Sequence, residues 1–306
     1  LKTIEQIAES FKPWNPGTEL TVGLFSSVVP EFDERAFREA LVNAFGHRDY
    51  SLLGRVRVLV DDAGLTIANP GGFVEGINVH NLLTAEPRGR NPCLMDALKR
   101  TGLAERTGRG IDRIFEGALN YGRPLPDYSR SNRRGVSVLL PRSVPDKAFV
   151  ELLAEERERS GKSMSLDGLL ILDKLKSERR CGFDVLSGSL DMSDQRLRTV
   201  LGQLTEAGLV ESPGVGARRT YMLGAKVYRR SGRAMEYVRQ SDIDRVRYPE
   251  LIIELMHEQK SVSKNDVMEL LHLEENQAYY QLRKLVLEGR AKKVGSGRNV
   301  RYAAVR

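Results

Sequence analysis

The 306-residue chain is poor in cysteine, tryptophan and histidine, with two, one and four of each. Cys93 and Cys181 lie far apart and have no partners at zinc-ligand spacing, which excludes a disulfide framework and a zinc module and leaves two reduced thiols. No apolar run approaches the roughly 18 residues of a membrane span, and no signal-peptide pattern opens the printed sequence. The expectation is a cytoplasmic protein with no membrane partner. A chain that opens on Leu1 rather than Met reads as a piece of a longer protein. At 41% hydrophobic and 29% charged residues, it is not short of core material, and its length predicts two or three domains.

Charge of one sign is unevenly supplied. The net charge is +7, yet residues 1–141 hold 18 basic against 17 acidic side chains, so nearly all of the excess lies in 142–306, with 30 against 24. Residues 283–306 carry eight basic residues and a single acidic one, Glu288. Clustered positive charge is what a phosphate backbone requires, although a solvated face carries charge as well.

The C-terminal half repeats itself. Leu201, Leu204, Gly208, Gly214, Gly216 and Tyr221 recur 81 positions later as Leu282, Leu285, Gly289, Gly295, Gly297 and Tyr302, in one register over about fifty positions. Each copy predicts three helices and a hairpin. In the first, Leu169, Leu172 and Leu175 mark one helix and 183–190 a short second. Ser193 sits at the N-cap of a third, whose Leu197, Val200, Leu201 and Leu204 share a face and which ends at Gly208. Strands follow at 209–212 and 219–223 around Pro213–Gly216. The second copy predicts helices near 249–258, 264–271 and 274–288, then strands at 291–294 and 300–303.

This order resembles the winged helix-turn-helix family across 165–223 and 246–304. The resemblance implies duplex DNA as partner. The face of the third helix opposite the leucines then carries Gln195 and Thr199, flanked by Arg196 and Arg198, in copy one, and Gln277, Tyr280 and Lys284, flanked by Arg283, in copy two. Gln reads adenine and Arg reads guanine bidentately. Wing residues Arg218, Arg219, Arg298 and Arg301 suit phosphates or a minor groove. Winged helices also dock proteins, and that alternative stays open here. The stretch 225–247, rich in Lys and Arg, reads as a basic linker that crosses a DNA backbone or pairs with a second subunit, so a homo-oligomer is a further expectation.

In the front half, residues 37–50 predict a helix with Phe37, Leu41, Ala44 and Phe45 on one side and Glu39 and Asn43, four apart, on the other. A carboxylate beside an amide can position a water and a magnesium ion, though two polar residues on a helix are ordinarily a solvated face. A hairpin follows at 55–60 and 65–68, running into Asn69-Pro70-Gly71-Gly72. Later, Gly108-Arg109-Gly110 opens a helix at 111–119, where amides can bind phosphate, and a strand spans 135–141.

Across roughly 20–141 this order resembles the GHKL ATPases. Within them it is similar to a prokaryotic subgroup labelled as the C-terminal part of RecG-like helicases, with an NA-x-x-HRDY run, an NPG-G loop and a G-x-G-I segment. That resemblance implies ATP and magnesium as cofactors. It gives Glu39 the part of general base and Asn43 that of magnesium ligand. It sets Asn69, Gly71 and Gly72 near adenine, Gly108, Arg109 and Gly110 near phosphate, and a lid at 86–106. The chain departs from the wider family at Asn69, where Asp is usual; an amide oxygen still accepts a hydrogen bond, without charge. In this subgroup a DNA-binding domain of AlbA/Schlafen type often comes first. His47 to Tyr50 is either a latch or part of a site.

The expected fold class is α+β: a GHKL-like α/β sandwich over 1–145, a linker at 146–164, winged-helix domains at 165–224 and 246–306, and a basic linker at 225–245. The expected function is a DNA-binding, transcriptional regulator with an ATP-binding GHKL-like module, and ATP hydrolysis is a further expectation. The alternative is a DNA-binding scaffold whose GHKL-like fold no longer binds nucleotide and serves dimerisation or protein docking. Helicase motor activity is excluded, because the nearest match to a Walker loop, Gly161-Lys162-Ser163, has Glu156 where its first glycine belongs. A histidine kinase is not the expectation either, since the printed sequence shows no helical hairpin with a phosphoacceptor histidine ahead of the module.

Overall fold

The computed structural model describes residues 2–22, 25–104, 108–214, 216, 219–230, 248–271, 273, 275–295 and 300–305. Arg218, Arg298 and the greater part of the basic stretch, 231–247, lie outside the described residues. By packing, the chain divides into two compact units, Leu1–Ser177 with Asp184–Ala207, and Glu178–Phe183 with Gly208–Arg306. This division runs through the first repeat copy, whose helices fall in the first unit and strands in the second.

The first unit opens with α1 (Lys2–Phe11) and a hairpin of β1 (Gly17–Val22) and β2 (Phe25–Pro30). Next comes α2 (Glu34–Gly46), started by Asp33, whose Oδ1 accepts from the Arg35 and Ala36 amides at 2.9 Å each. Helix α2 is buried on more than its apolar stripe: Leu41 and Val42 are fully enclosed, and Glu39 is 2% exposed. The polar face that the spacing shows is therefore not a solvated one.

A three-stranded antiparallel sheet follows in the order β3 (Arg57–Asp61), β4 (Gly64–Pro70), β5 (Gly135–Pro141). Side chains alternate along a strand, so Leu65, Ile67 and Asn69 of β4 share the inward face and are all buried. Between β4 and β5 lie α3 (Pro92–Arg100) and α4 (Gly110–Leu119). Gly110, the fully buried Ile114 and Gly117 form the stripe of α4 that lies on α2. A Cβ on Gly117 would come within 2.6 Å of the Ala36 Cβ, so glycine is what permits this approach.

Residues 147–160 were expected to be linker and form a helix instead, α5 (Lys147–Ser160). Asp146 caps it, Gly161 ends it at φ +70°, and Leu152 and Glu156 are buried. The unit also holds α6 (Leu166–Glu178, to Ser177), α7 (Phe183–Ser189, from Asp184) and α8 (Asp194–Glu206), with Ser193 at the N-cap of α8 as its sequence predicts.

In the second unit, β6 (Arg180–Gly182), β7 (Val210–Glu211) and β8 (Thr220–Leu223) form a sheet in the order β6-β8-β7. Then come α9 (Ala225–Arg230), α10 (Tyr248–Gln259), α11 (Lys264–Leu271), α12 (Glu275–Leu287) and the hairpin β9 (Ala291–Val294) with β10 (Arg301–Ala304). Ile252, Met256, Val267, Leu270, Leu282 and Leu285 belong to one core.

The repeat recurs in the secondary structure. Helix α8 and strand β8 recur 81 positions on as α12 and β10, with identical lengths. Cys181 pairs with Tyr221 in copy one, and Val262 with Tyr302 in copy two. Even the two non-glycine residues with positive φ, Arg179 and Lys260, both at 64°, are 81 apart.

Candidate functional site

Within the first unit a cavity of about 310 Å³ lies between α2, β4, α3 and the start of α4. Its volume is at the lower end of small-molecule sites, roughly 300–1,000 Å³. Ile67, Phe73, Ile77, Leu82, Tyr128 and Val138 supply apolar walls. Burial pushes the Tyr128 hydroxyl well above the usual phenol range, so it stays protonated.

Polar groups converge at two places. At one, Glu39 and Asn43 stack on successive turns of α2, and α4 begins against them. A Cβ on Gly110 would stand 3.0 Å from Glu39 Oε2 and 3.6 Å from Asn43 Nδ2, so the missing side chain is the space beside both groups. The Arg113 Nη1 donates to Glu39 Oε1 at 3.1 Å, which holds the buried carboxylate by its other oxygen. At the second place stands Asn69, 6% exposed, with its Nδ2 donating to the Pro70 carbonyl at 3.1 Å and lying 3.5 Å from that of Gly71. The amide nitrogen is thus spent on its own loop, and Oδ1 is the atom left to accept from a ligand.

The run His47–Tyr50 is a latch. The Asp49 amide donates to Pro70 O at 2.8 Å, and Arg90 bridges Asp49 Oδ2 at 3.4 Å and Gly72 O at 2.8 Å. Asn91 Nδ2 donates to Gly46 O and Arg48 O, and Arg48 donates to Gly54 O. The segment from Arg90 is in this way tied to the end of α2 and to the Asn69–Gly72 loop. Gly71, at φ +94°, backs onto Asp49, where a Cβ would meet the Asp49 Cβ at 2.6 Å. Ser51 donors hold the Asp49 carboxyl below its ordinary pKa, with Arg90 and Arg48 adding to this. His47 lines the cavity, and burial, followed by the Arg90 charge, lowers its pKa.

Of the expected nucleotide residues, Glu39, Asn43, Asn69, Gly72, Gly108 and Gly110 line this one cavity. Gly71 shapes the loop behind it. Arg109, the N-cap of α4, is exposed, and its charge acts on Asp112 and Glu116. Sequence reasoning missed Arg88 and Lys99, basic residues of the expected lid that line the cavity, and Asp112, whose pKa burial raises.

The expected DNA residues divide. Gln195, Arg198 and Thr199 on α8, and Gln277, Tyr280, Arg283 and Lys284 on α12, are exposed opposite buried faces of Leu197, Val200 and Leu201, and of Ala278, Leu282 and Leu285. Lys284 lies 3.9 Å from Glu288, a loose pair. Arg196 is differently placed. Its guanidinium forks the Asp167 carboxylate, with Nη2 at 2.8 Å from Oδ1, and its charge reaches Asp112 at the cavity. One position before the Met192-Ser193 approach to α8, Asp191 accepts from Thr84 Oγ1 at 2.5 Å, next to Leu83 and Ala85 of the cavity wall.

Arg301 departs from the expected phosphate contact. It donates to Ser261 Oγ at 2.9 Å and Ser261 O at 2.8 Å, and pairs with Asp266 at 3.3 Å. In copy one the corresponding pair is reversed, with Arg180 donating to Thr220 Oγ1 at 2.8 Å. The two positions exchange residue types between copies while keeping one cross-strand bond, so Arg301 fastens β10. Arg219 is exposed.

Residues 54–140 match a family model described as "Putative ATP-dependent DNA helicase recG C-terminal". The match supports an ATPase-like module of the GHKL type over these residues. The match includes Asn69–Gly72 and Gly108–Gly110 but begins after α2, so it does not reach Glu39 or Asn43. No curated protein matches the chain. Among solved structures it is similar to the DIP2311 protein from Corynebacterium diphtheriae, with 22% identity and a TM-score of 0.60 over 99% of this chain and 54% of that one. The chain therefore spans about half the length of that protein, and the likeness is one of fold. Among the described residues no helix is long and apolar enough to cross a membrane.

Proposed function

We propose that this chain is a DNA-binding regulator in which a GHKL-type module binds magnesium and ATP and two winged-helix domains engage duplex DNA. The observation that carries the nucleotide half is the single cavity that gathers Glu39, Asn43 and Gly110 at one place and Asn69 at another, with apolar walls between. Asn69 Oδ1 accepts from the adenine amino group, and the ring packs on Ile67 and Val138. The space left by Gly110 admits phosphate and metal beside Asn43, whose amide oxygen is a hard ligand of the kind magnesium takes singly, leaving its other positions to phosphates and water. The bound metal supplies charge neutralisation at the phosphates. Glu39 Oε2 faces that space and takes the proton of an attacking water.

Support for the DNA half comes from the repeated order of three helices and a hairpin, with a β-pairing residue after the first helix of each copy, and from the exposed basic and amide side chains of α12. Copy two is the stronger reader, since Lys284, Arg283, Lys292 and Lys293 are all exposed, whereas Arg196 of copy one is bound to Asp167. The experiment is a duplex-DNA titration over a salt series, with and without Mg·ATP. Affinity should fall with salt, and replacing Gln277 should relax preference at one base position by roughly 1–3 kcal/mol. Salt-independent binding would make these modules protein-docking domains.

A further inference from the structure

Strand β3 is an open edge. β4 covers one side of it, and among the described residues no strand covers the other. The far edge of the same sheet, β5, is met by the bridge Asp127↔Leu139. The β3–β4 turn has two residues and closes on the pair Asp61↔Gly64, which must be a hydrogen-bonded one. Alternation then commits the backbone groups of Arg57, Leu59 and Asp61 to β4 and turns those of Val58 and Val60 toward the open side. The side chains alternate too: Arg57, Leu59 and Asp61 are exposed, Leu59 by 45%, while Val58 and Val60 pack on the core. The segment Arg-Val-Leu-Val-Asp is thus symmetric in shape about Leu59 and opposite in charge at its ends.

We propose that β3 is a homodimer interface, pairing antiparallel with the same strand of a second copy about a two-fold axis through Leu59. Val58 then exchanges both main-chain hydrogen bonds with the partner subunit's Val60, and Val60 with the partner's Val58. Leu59 meets the partner's Leu59 at a non-hydrogen-bonded position, with Cα atoms about 4.5 Å apart. Arg57 faces the partner's Asp61 on one exposed face, and the symmetry makes the contact twice. Both charges are available for it. Arg57 has no ion pair among the described residues, and Asp61 uses Oδ1 for the Ala63 and Gly64 amides, at 2.9 and 3.2 Å, leaving Oδ2 without a partner among them. Charge also selects the register: centring the pair on Val58 or Val60 sets Leu59 against an arginine or an aspartate, and only the Leu59 centre opposes the two charges. The loop leading into the strand carries exposed Leu52 and Leu53.

The test is sedimentation of the full chain carrying Cys93→Ser, which removes the exposed native thiol. The parent should be a dimer. Arg57→Glu and Asp61→Lys should each weaken dimerisation at least tenfold, and mixing the two should restore it, because every charged pair across the axis is then opposite again. Recovery on mixing also shows that both variants are folded. Leu59→Cys should form a disulfide-linked dimer on mild oxidation, while Val294→Cys, exposed on β9, should not. A monomeric parent overturns the proposal. So does a dimer that Arg57→Glu leaves intact and Leu59→Cys fails to cross-link.

Discussion

Replacing Gly110 with alanine tests the proposed nucleotide site apart from folding. Gly110 is the first residue of α4, and its φ lies outside the left-handed region, so the backbone accepts a side chain. In a helix interior, alanine is favoured over glycine by about 0.5–1 kcal/mol, and at a first turn the gain is smaller. Against it stands one tight contact, the new methyl at 3.0 Å from Glu39 Oε2, with the Asn43 amide at 3.6 and 3.8 Å. These effects nearly cancel, so the melting temperature should change little. The ligand has no such compensation, because the methyl occupies the space beside both polar groups. Losing metal and phosphate contacts there should weaken Mg·ATP at least tenfold, or about 1.4 kcal/mol. Calorimetric titration with parallel thermal melts reads both quantities. Gly202→Ala on α8, where a Cβ meets nothing within 4 Å, is the control that should leave binding unchanged. Wild-type affinity in a folded Gly110→Ala variant would refute the placement of phosphate and metal.

Three other outcomes follow from the geometry. Glu39→Gln should bind ATP normally and lose about 10²–10⁴ of any turnover, measured as phosphate release; an unchanged rate would give Glu39 another part. His47 has a folded pKa below its ordinary 6.5, so the unfolded chain binds the proton more tightly and stability falls as pH drops from 6.5 toward the folded value; His47→Asn should flatten that slope in urea melts, and an unaltered slope would assign it to other groups. Lys284→Ala should lower the salt slope of DNA binding by about one unit, whereas Arg301→Ala should leave the slope alone and cost about 1 kcal/mol of stability, since its guanidinium is bound to Ser261 and Asp266; the reverse pattern would return Arg301 to the DNA.

Local signals were the legible ones. Strand β5 falls on the residues its apolar run marks, and Ser193 and Gly208 bound α8 as a cap and a left-handed terminator do. The duplication was readable because one register of leucines and glycines persists across both copies. What the sequence hid was decided by partners far away. Glu39 looks like half of a solvated face until α4, some seventy residues later, covers it. Arg301 looks like a wing residue because Ser261 and Asp266 lie 40 and 35 positions back. Helix α5 ends in the run Glu-Glu-Arg-Glu-Arg, whose charge suggests a linker, while its burial rests mainly on Leu152 and Glu156. Strand β6 has three residues, too few for a period to show.

The proposed function stands or falls on one cavity that binds ATP through magnesium held at Asn43. Its most direct test is calorimetric titration of the chain with ATP, with and without magnesium, beside Asn43→Ala. Saturable binding that requires magnesium and is abolished in the variant is the expected result. Binding that is indifferent to magnesium, or unchanged in Asn43→Ala, would contradict it.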